Sequence, residues 1–303
     1  MRIVSFLPAA TEMACALGLE EAIVGRSAEC DYPASLQSKP VVVHSALSLA
    51  TMTPGEIDDA VRHTLHETGT LYAVHEELLR DLQPDLILTQ DLCQVCAPSG
   101  NDITRVIGSL ARKPDVLYFT PHSLADVDDN LRALGDATGR RARADAIIAA
   151  NQARIERVEA RAAEADEHPT VFFAEWVDPI YCAGHWVPEM IQIAGGIPLL
   201  VRPGGDSVRV TRDEVIAVKP DVIIVAPCGF DAQGAAKQAA TLDLHAPRVF
   251  TVDANAYFAR PGPRLIDGIE LLADLLHPSM PKKELPRDRH AQFVLRLRQT
   301  RTL

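Results

Sequence analysis

Apolar positions along this 303-residue chain fall into two regimes. Short continuous apolar runs bounded by Pro, Gly or Asp alternate with stretches whose apolar residues recur every three or four positions. That alternation predicts buried strands separated by amphipathic helices. In order, Ile3–Leu7 reads as a strand stopped by Pro8, followed by a helix from Thr11 to Gly18. Ile23–Gly25 and Val41–Val43 read as strands, and the helix HEELLRDLQ leads through Pro84 into the strand Asp85–Thr89. Val116–Phe119 closes the first half. After it, Ser123–Glu167 reads as one long Pro-free helical run, with Leu131, Leu134, Ile147, Ile148, Ile155 and Val158 on its packed side. Gly135 and Gly139 mark candidate points for a break or kink.

The pattern then returns. Thr170–Ala174 reads as a strand, Glu189–Ala194 as a helix ended by Gly195-Gly196, and a helix capped by Thr211 leads through Pro220 into the strand Asp221–Ala226. Val249–Val252 and the helix Leu265–Leu276 complete the half. LLRDLQPDLILT matches VIAVKPDVIIVA. Pro84 and Pro220 lie 136 residues apart, as do Asp85 and Asp221, and Glu77 and Asp213. A shared offset argues for two similarly folded halves. The expected fold is α/β: two Rossmann-like lobes with parallel sheets, bridged by one long α-helix, with a ligand cleft between the lobes. The expected divisions are an N-terminal lobe over 1–122, the bridge over 123–167, a C-terminal lobe over 168–279 and a basic tail over 280–303, read as a solvated helix.

Composition narrows the function. A formal charge of −11 argues against nucleic acid or an anionic membrane as the main partner. No apolar run approaches the length of a membrane span, so no membrane insertion is expected. The N-terminus, MRIVSFLPAATE, shows no basic-then-apolar leader, which predicts a cytoplasmic protein, or a periplasmic one if a leader was removed. Ligands of such sheets bind at the carboxyl ends of the strands. The loops there are RSAECDYP, QDLCQVCAPS, EWVDPIYCAGHWVP, APCGFD and DANAYFARPGPR.

Those loops hold five of the six cysteines, Cys15 being on a predicted helix. Cys93 and Cys96 have the spacing of two thiolates that chelate one soft metal, and His185 follows Cys182 by three. Cys30, Cys93, Cys96, Cys182 and His185 are therefore candidate ligands for Zn, Fe or Co. The competing readings are partly buried thiols for Cys93 and Cys96 and a backbone-bonded ring for His185. No phosphate-binding glycine loop and no paired nucleophile and base occur.

The order strand–LPAATE–helix, DYP, LQPDLIL, long helix, VFFAEWVDPIYCAG, AGG, VKPDVIIV and ARPGPRLIDGIELLADLL resembles the vitamin B12-binding and siderophore-binding proteins of ABC transporters over roughly residues 2–278. The resemblance implies a helical-backbone metal receptor that captures cobalamin, a related corrinoid or another small-molecule metal chelate, without catalysis. It places Tyr32, Trp176, Tyr181, Tyr257 and Phe258 as rings against the ligand, joined by Trp186 in the same loop as Trp176. It places Asp253 and Arg260 against the ligand's polar groups. It further implies docking on an ABC permease through Glu77 and Asp213, although both also stand near helix N-termini, where a carboxylate is favoured anyway. A leaderless binder would instead retain, handle or sense its ligand in the cytosol. The alternatives are a cytosolic metalloprotein or redox enzyme with a cleft Cys/His centre, and a regulatory protein that kept the fold without the ligand.

Overall fold

The computed structural model describes residues 1–47, 52–90, 106–108, 110–279 and the backbone strand 294–296. The chain forms two compact units. The N-terminal unit is Met1–Pro121 with Ala125–Ile148, and the C-terminal unit is His122–Leu124 with Ala149–Leu303.

The N-terminal sheet contains β1 (Ile3–Ser5), β2 (Ile23–Ser27), β3 (Val41–Ser45), β4 (Tyr72–Val74), β5 (Leu86–Thr89) and β6 (Asp115–Tyr118), in the order β4-β3-β2-β1-β5-β6. All its pairings are parallel except β3 with β4. Val4, Phe6, Val42, Val43, Leu79 and Ile87 form a buried core. Sequence reading missed the helix Pro54–Thr68, which Thr53 and Glu56 open with a reciprocal capping box.

The C-terminal sheet contains β7 (Thr170–Val177), β8 (Ile180–Cys182), β9 (Ile197–Pro198), β10 (Val208–Arg209), β11 (Val222–Val225), β12 (Arg248–Val252) and β13 (Val294–Arg296). Its order is β10-β8-β7-β11-β12-β13, with β9 beside β7. The centre is parallel, β7 with β11 and β11 with β12, while the pairings of β7 with β8, β8 with β10 and β12 with β13 are antiparallel. The two-lobed α/β class is thus as expected, with mostly parallel rather than wholly parallel sheets. The tail also differs from the expected helix: its described residues, 294–296, pair with β12 as an edge strand.

The single long helix is corrected to two, Leu124–Thr138 and Arg141–Ala163. Gly139 takes φ +66, a left-handed conformation that ends a helix cheaply only where there is no Cβ. Arg141 then pairs with Asp136 at 2.7 Å and Asp145 at 3.1 Å, clamping the break from both sides. Further along, Arg154 reaches Asp267 at 2.6 Å and Glu270 at 2.7 Å, and Arg161 reaches Asp274 at 3.0 Å. These pairs tie the second helix to the helix Leu265–Leu276 inside the C-terminal unit.

The repeat seen in the sequence has a local physical cause. Gln83 and Lys219 both end their helices in the left-handed region, at φ 44 and φ 48. After each comes Pro-Asp, and the Asp ties the start of a central strand to its neighbour. Asp85 accepts the Arg2 backbone N–H at 2.8 Å, and Asp221 accepts both the Thr170 N–H at 2.8 Å and its hydroxyl at 2.7 Å. These bonds hold both carboxyls below the usual Asp range. A carboxyl whose pKa is lower folded than unfolded stabilises fully above the unfolded value, near 3.8, and less as pH falls below it toward the folded value. Asp221→Ala is therefore expected to cost about 1 kcal/mol at pH 7, reduced by its exposure. The difference from the parent should shrink as pH falls below 3.8 in urea unfolding followed across pH. A pH-independent difference would refute this account.

Candidate functional site

In the C-terminal unit the carboxyl ends of β7, β11 and β12 are laced together by backbone bonds. Cys228 N–H donates to the Glu175 carbonyl at 3.1 Å, and Ala254 N–H to the Phe230 carbonyl at 3.2 Å. Gly229 N–H donates to Asn255 Oδ1 at 3.2 Å. Three loops distant in sequence thus form one rigid rim. The hairpin of β7 and β8 sets Trp176 directly opposite Tyr181, which brings the two rings to the same face. Trp176 also lies 6.0 Å from the Phe230 ring, tilted by 49°, and its indole N–H donates to the Asp178 carbonyl at 2.9 Å. Phe230 was not among the expected ring residues, although its loop was. Trp176, Tyr181 and Phe230 are each half-buried, so each keeps an open edge.

Three other expected rings are turned inward. Phe258 is 2% exposed and meets Phe173 edge-on at 5.0 Å. Trp186 is buried, its indole N–H donating to the Phe258 carbonyl at 2.8 Å. Tyr257 is buried in the short helix Ala254–Tyr257, its backbone carbonyl against Gly268. Asp253 has a local structural partner. Its carboxylate caps that helix, accepting the Ala256 N–H at 2.7 Å. Burial pushes its pKa up, with Asp231 adding to the rise and Arg264 and Arg260 opposing it. Arg260 is half-buried at the same rim, close enough to Asp253 to act on its charge.

In the N-terminal unit Tyr32 is 42% exposed and precedes a cis Pro33. Its loop is held from below by the buried Arg26, whose guanidinium donates to the carbonyls of Leu36 at 2.9 Å, Ser27 at 3.0 Å and Gln37 at 3.2 Å.

Two of the candidate cysteines sit in the interior. Cys30 is fully buried, its sulfur 3.0 Å from the Thr11 hydroxyl. Cys182 is fully buried, its thiol donating to the Leu199 carbonyl at 3.3 Å, and burial pushes its pKa up to about 12. At Cys182 this burial disfavours the thiolate that a metal would need. Cys93 and Cys96 lie outside the described residues. His185 keeps company the sequence did not suggest: its ring is 5.6 Å from that of His122, and its Nε2 is 3.7 Å from Asp206 Oδ1. Burial, then the neighbouring His122, hold its imidazole below the usual histidine range against the pull of Asp206. Asp206 belongs to RPGGDS, which reads as a surface turn, so no local signal linked the three.

The class of protein follows from comparison of these two α/β lobes with known families. The profile described as "Periplasmic binding protein" matches residues 3–243, and the chain belongs to that family. It is 24% identical, over 91% of its length and 80% of the relative's, to an uncharacterized ABC transporter substrate-binding lipoprotein, YvrC, of Bacillus subtilis. It is 25% identical, over 91% of its length and 88% of the relative's, to the vitamin B12-binding protein of Vibrio cholerae. Among solved structures, a periplasmic heme binding protein from Pseudomonas aeruginosa superposes with a TM-score of 0.71 at 20% identity, covering 94% of this chain and 95% of that one. The vitamin B12 binding protein BtuF of Vibrio cholerae superposes with a TM-score of 0.63 at 20% identity, covering 91% and 96%.

These relatives overturn the cytoplasmic expectation and the cytosolic roles attached to it. They are a lipoprotein and proteins described as periplasmic, which points to a location outside the cytoplasm. The physical reason is that export and anchoring signals act apart from the folded lobes, so the fold itself carries no trace of them. Among the described residues no helix is long and apolar enough to cross a membrane.

Proposed function

We propose that this chain captures cobalamin or a related corrinoid for an ABC importer, with Trp176, Tyr181 and Phe230 of the C-terminal rim as the ring contacts. The observation that carries the reading is the aromatic rim at the strand ends, in a chain aligned over 91% of its length with proteins named for vitamin B12 binding. Arg260 supplies a cation for the ligand's polar periphery. Aromatic faces and a few polar groups suit a large, mostly apolar macrocycle. Heme is the competing ligand, favoured by the solved heme binding proteins with the same fold, including S. aureus IsdE complexed with heme at a TM-score of 0.67.

Titration of the intact protein with cyanocobalamin and, separately, with hemin tests this. Cobalamin is expected to bind one per chain, to quench tryptophan fluorescence and to raise Tm, by about 2.7 kcal/mol of stability at a hundredfold excess over Kd. Trp176→Ala is expected to weaken binding about tenfold or more, as loss of a stacked ring does. Saturable hemin binding with no response to cobalamin would overturn the corrinoid reading.

Permease docking through Glu77 and Asp213 is part of the same proposal. Both acids are exposed in the first turn of equivalent helices, Glu76–Leu82 and Arg212–Val218. Charge reversal at both is expected to abolish transport in a reconstituted importer while leaving ligand affinity intact. Unchanged transport would refute the docking role.

A further inference from the structure

We propose that His122, His185 and Asp206 bind one divalent transition metal ion on the C-terminal unit, a site separate from the aromatic rim residues assigned above. The potential ligand atoms of the three side chains all lie within 4.8 Å of one another. Within it, His185 Nε2 and Asp206 Oδ1 are 3.7 Å apart. Two ligands of a tetrahedral zinc, each about 2.0–2.1 Å from the metal, stand about 3.4 Å apart. Closing the triad on an ion therefore needs small side-chain rotations, mostly of the exposed His122 and Asp206.

The backbone beneath the triad is already locked. His185 takes φ 55, unusual for a residue with a Cβ. Its N–H donates to the Gly205 carbonyl at 2.6 Å, and its own carbonyl accepts from Gly204 at 3.0 Å. Gly184 N–H donates to Ser207 Oγ at 3.2 Å. A Cβ on Gly184 would run into the backbone of Asp206 and Ser207, so the two turns approach this closely only because residue 184 is glycine. His185 and Asp206 are thus carried on interlocked turns. The segment bearing His122 is fastened to the same region, since Leu124 N–H donates to Glu189 Oε2 at 3.0 Å. Glu189 lies in the helix Val187–Ile193, which begins just after His185. Trp186, anchored on Phe258, lies 5.6 Å from the His185 ring on the far side of the same turn.

The donor set decides the class of ion. Two imidazole nitrogens and one carboxylate oxygen suit Zn2+, Co2+, Ni2+ or Fe2+, and are too poor in oxygen for Ca2+ or Mg2+. Three protein ligands leave at least one coordination position for water or an outside donor. The site needs no cysteine, which distinguishes it from the metal centre expected from Cys93 and Cys96.

Zn2+ and Co2+ titrations of the intact protein test the inference, with a chromophoric chelator as competitor for zinc. One ion per chain is expected, and the cobalt spectrum should lack the intense near-ultraviolet band of thiolate ligation. His122→Ala and Asp206→Asn should each weaken binding at least about tenfold, the lower end of what loss of even an outer partner costs. Both positions are exposed, so the metal-free Tm and circular dichroism should stay at parental values. Cys93→Ser with Cys96→Ser should leave the affinity unchanged. No saturable uptake, uptake insensitive to both His122→Ala and Asp206→Asn, or uptake lost only with the two cysteines would overturn it. The inference does not depend on the corrinoid reading: a chain that takes up zinc through these residues and ignores cobalamin keeps it.

Discussion

Replacing Arg26 with methionine is expected to destabilise the N-terminal unit by about 3–5 kcal/mol. The guanidinium is 8% exposed and serves the carbonyls of Leu36, Ser27 and Gln37 at 2.9–3.2 Å. A bond from a charged donor is worth about 1.5–3 kcal/mol, and carbonyls left without a donor keep their desolvation cost. Methionine retains the stem's packing volume, so the loss reports the lost bonds rather than a cavity. Lysine is expected to restore less than half, because a single ammonium cannot span carbonyls arranged for a planar fork. Denaturant unfolding should show the loss in the transition of the N-terminal unit, and proteolysis should cut earliest within residues 28–39. A loss under 1 kcal/mol would show that the loop under Tyr32 holds itself.

Phe173→Ala is expected to cost the C-terminal unit about 3–5 kcal/mol, the usual range for emptying a buried phenylalanine site. Phe173 is 1% exposed, in the centre of β7, and meets Phe258 edge-on at 5.0 Å. Phe258 in turn receives the Trp186 indole, next to His185. The cavity would thus open beneath the residues that hold the rim and the histidine cluster in place. Phe173→Leu should recover more than half of the loss, since it refills most of the volume. Thermal unfolding of both variants checks this, and equal losses for Ala and Leu would mean that ring geometry, not volume, is what the site requires.

How much was legible in the sequence follows from which signals are local. Strand and helix placement depends on periodicity and punctuation, so Asp85–Thr89, Asp221–Ala226 and the helix Leu265–Leu276 were readable directly. The Pro-Asp repeat was readable too, because each copy does the same local work of tying one strand start to the next. The resemblance to binding proteins rested on the order of such elements, and the family match over residues 3–243 agrees with it. The site was much less legible. Trp186, Tyr257 and Phe258 occur in stretches that look like ligand loops, yet two of the three lie at turns of helix whose burial depends on what packs above them. Sequence alone does not say which side of a short helix will face a neighbour. Cys30 and Cys182 show the same limit: spacing tells that a thiol is present, while the packing around it decides how deeply it is buried.

From the sequence alone came the alternation of strand and helix, the doubled half, the acidic surface and the class of protein, because these are written in near-neighbour patterns that every copy of the chain repeats. Only the tertiary structure decided which rings stay open at the rim, that the long helix breaks at Gly139, and that His122, His185 and Asp206 meet. Those outcomes depend on residues far apart in the chain competing for the same space and the same hydrogen bonds, and that competition is resolved only when each lobe folds.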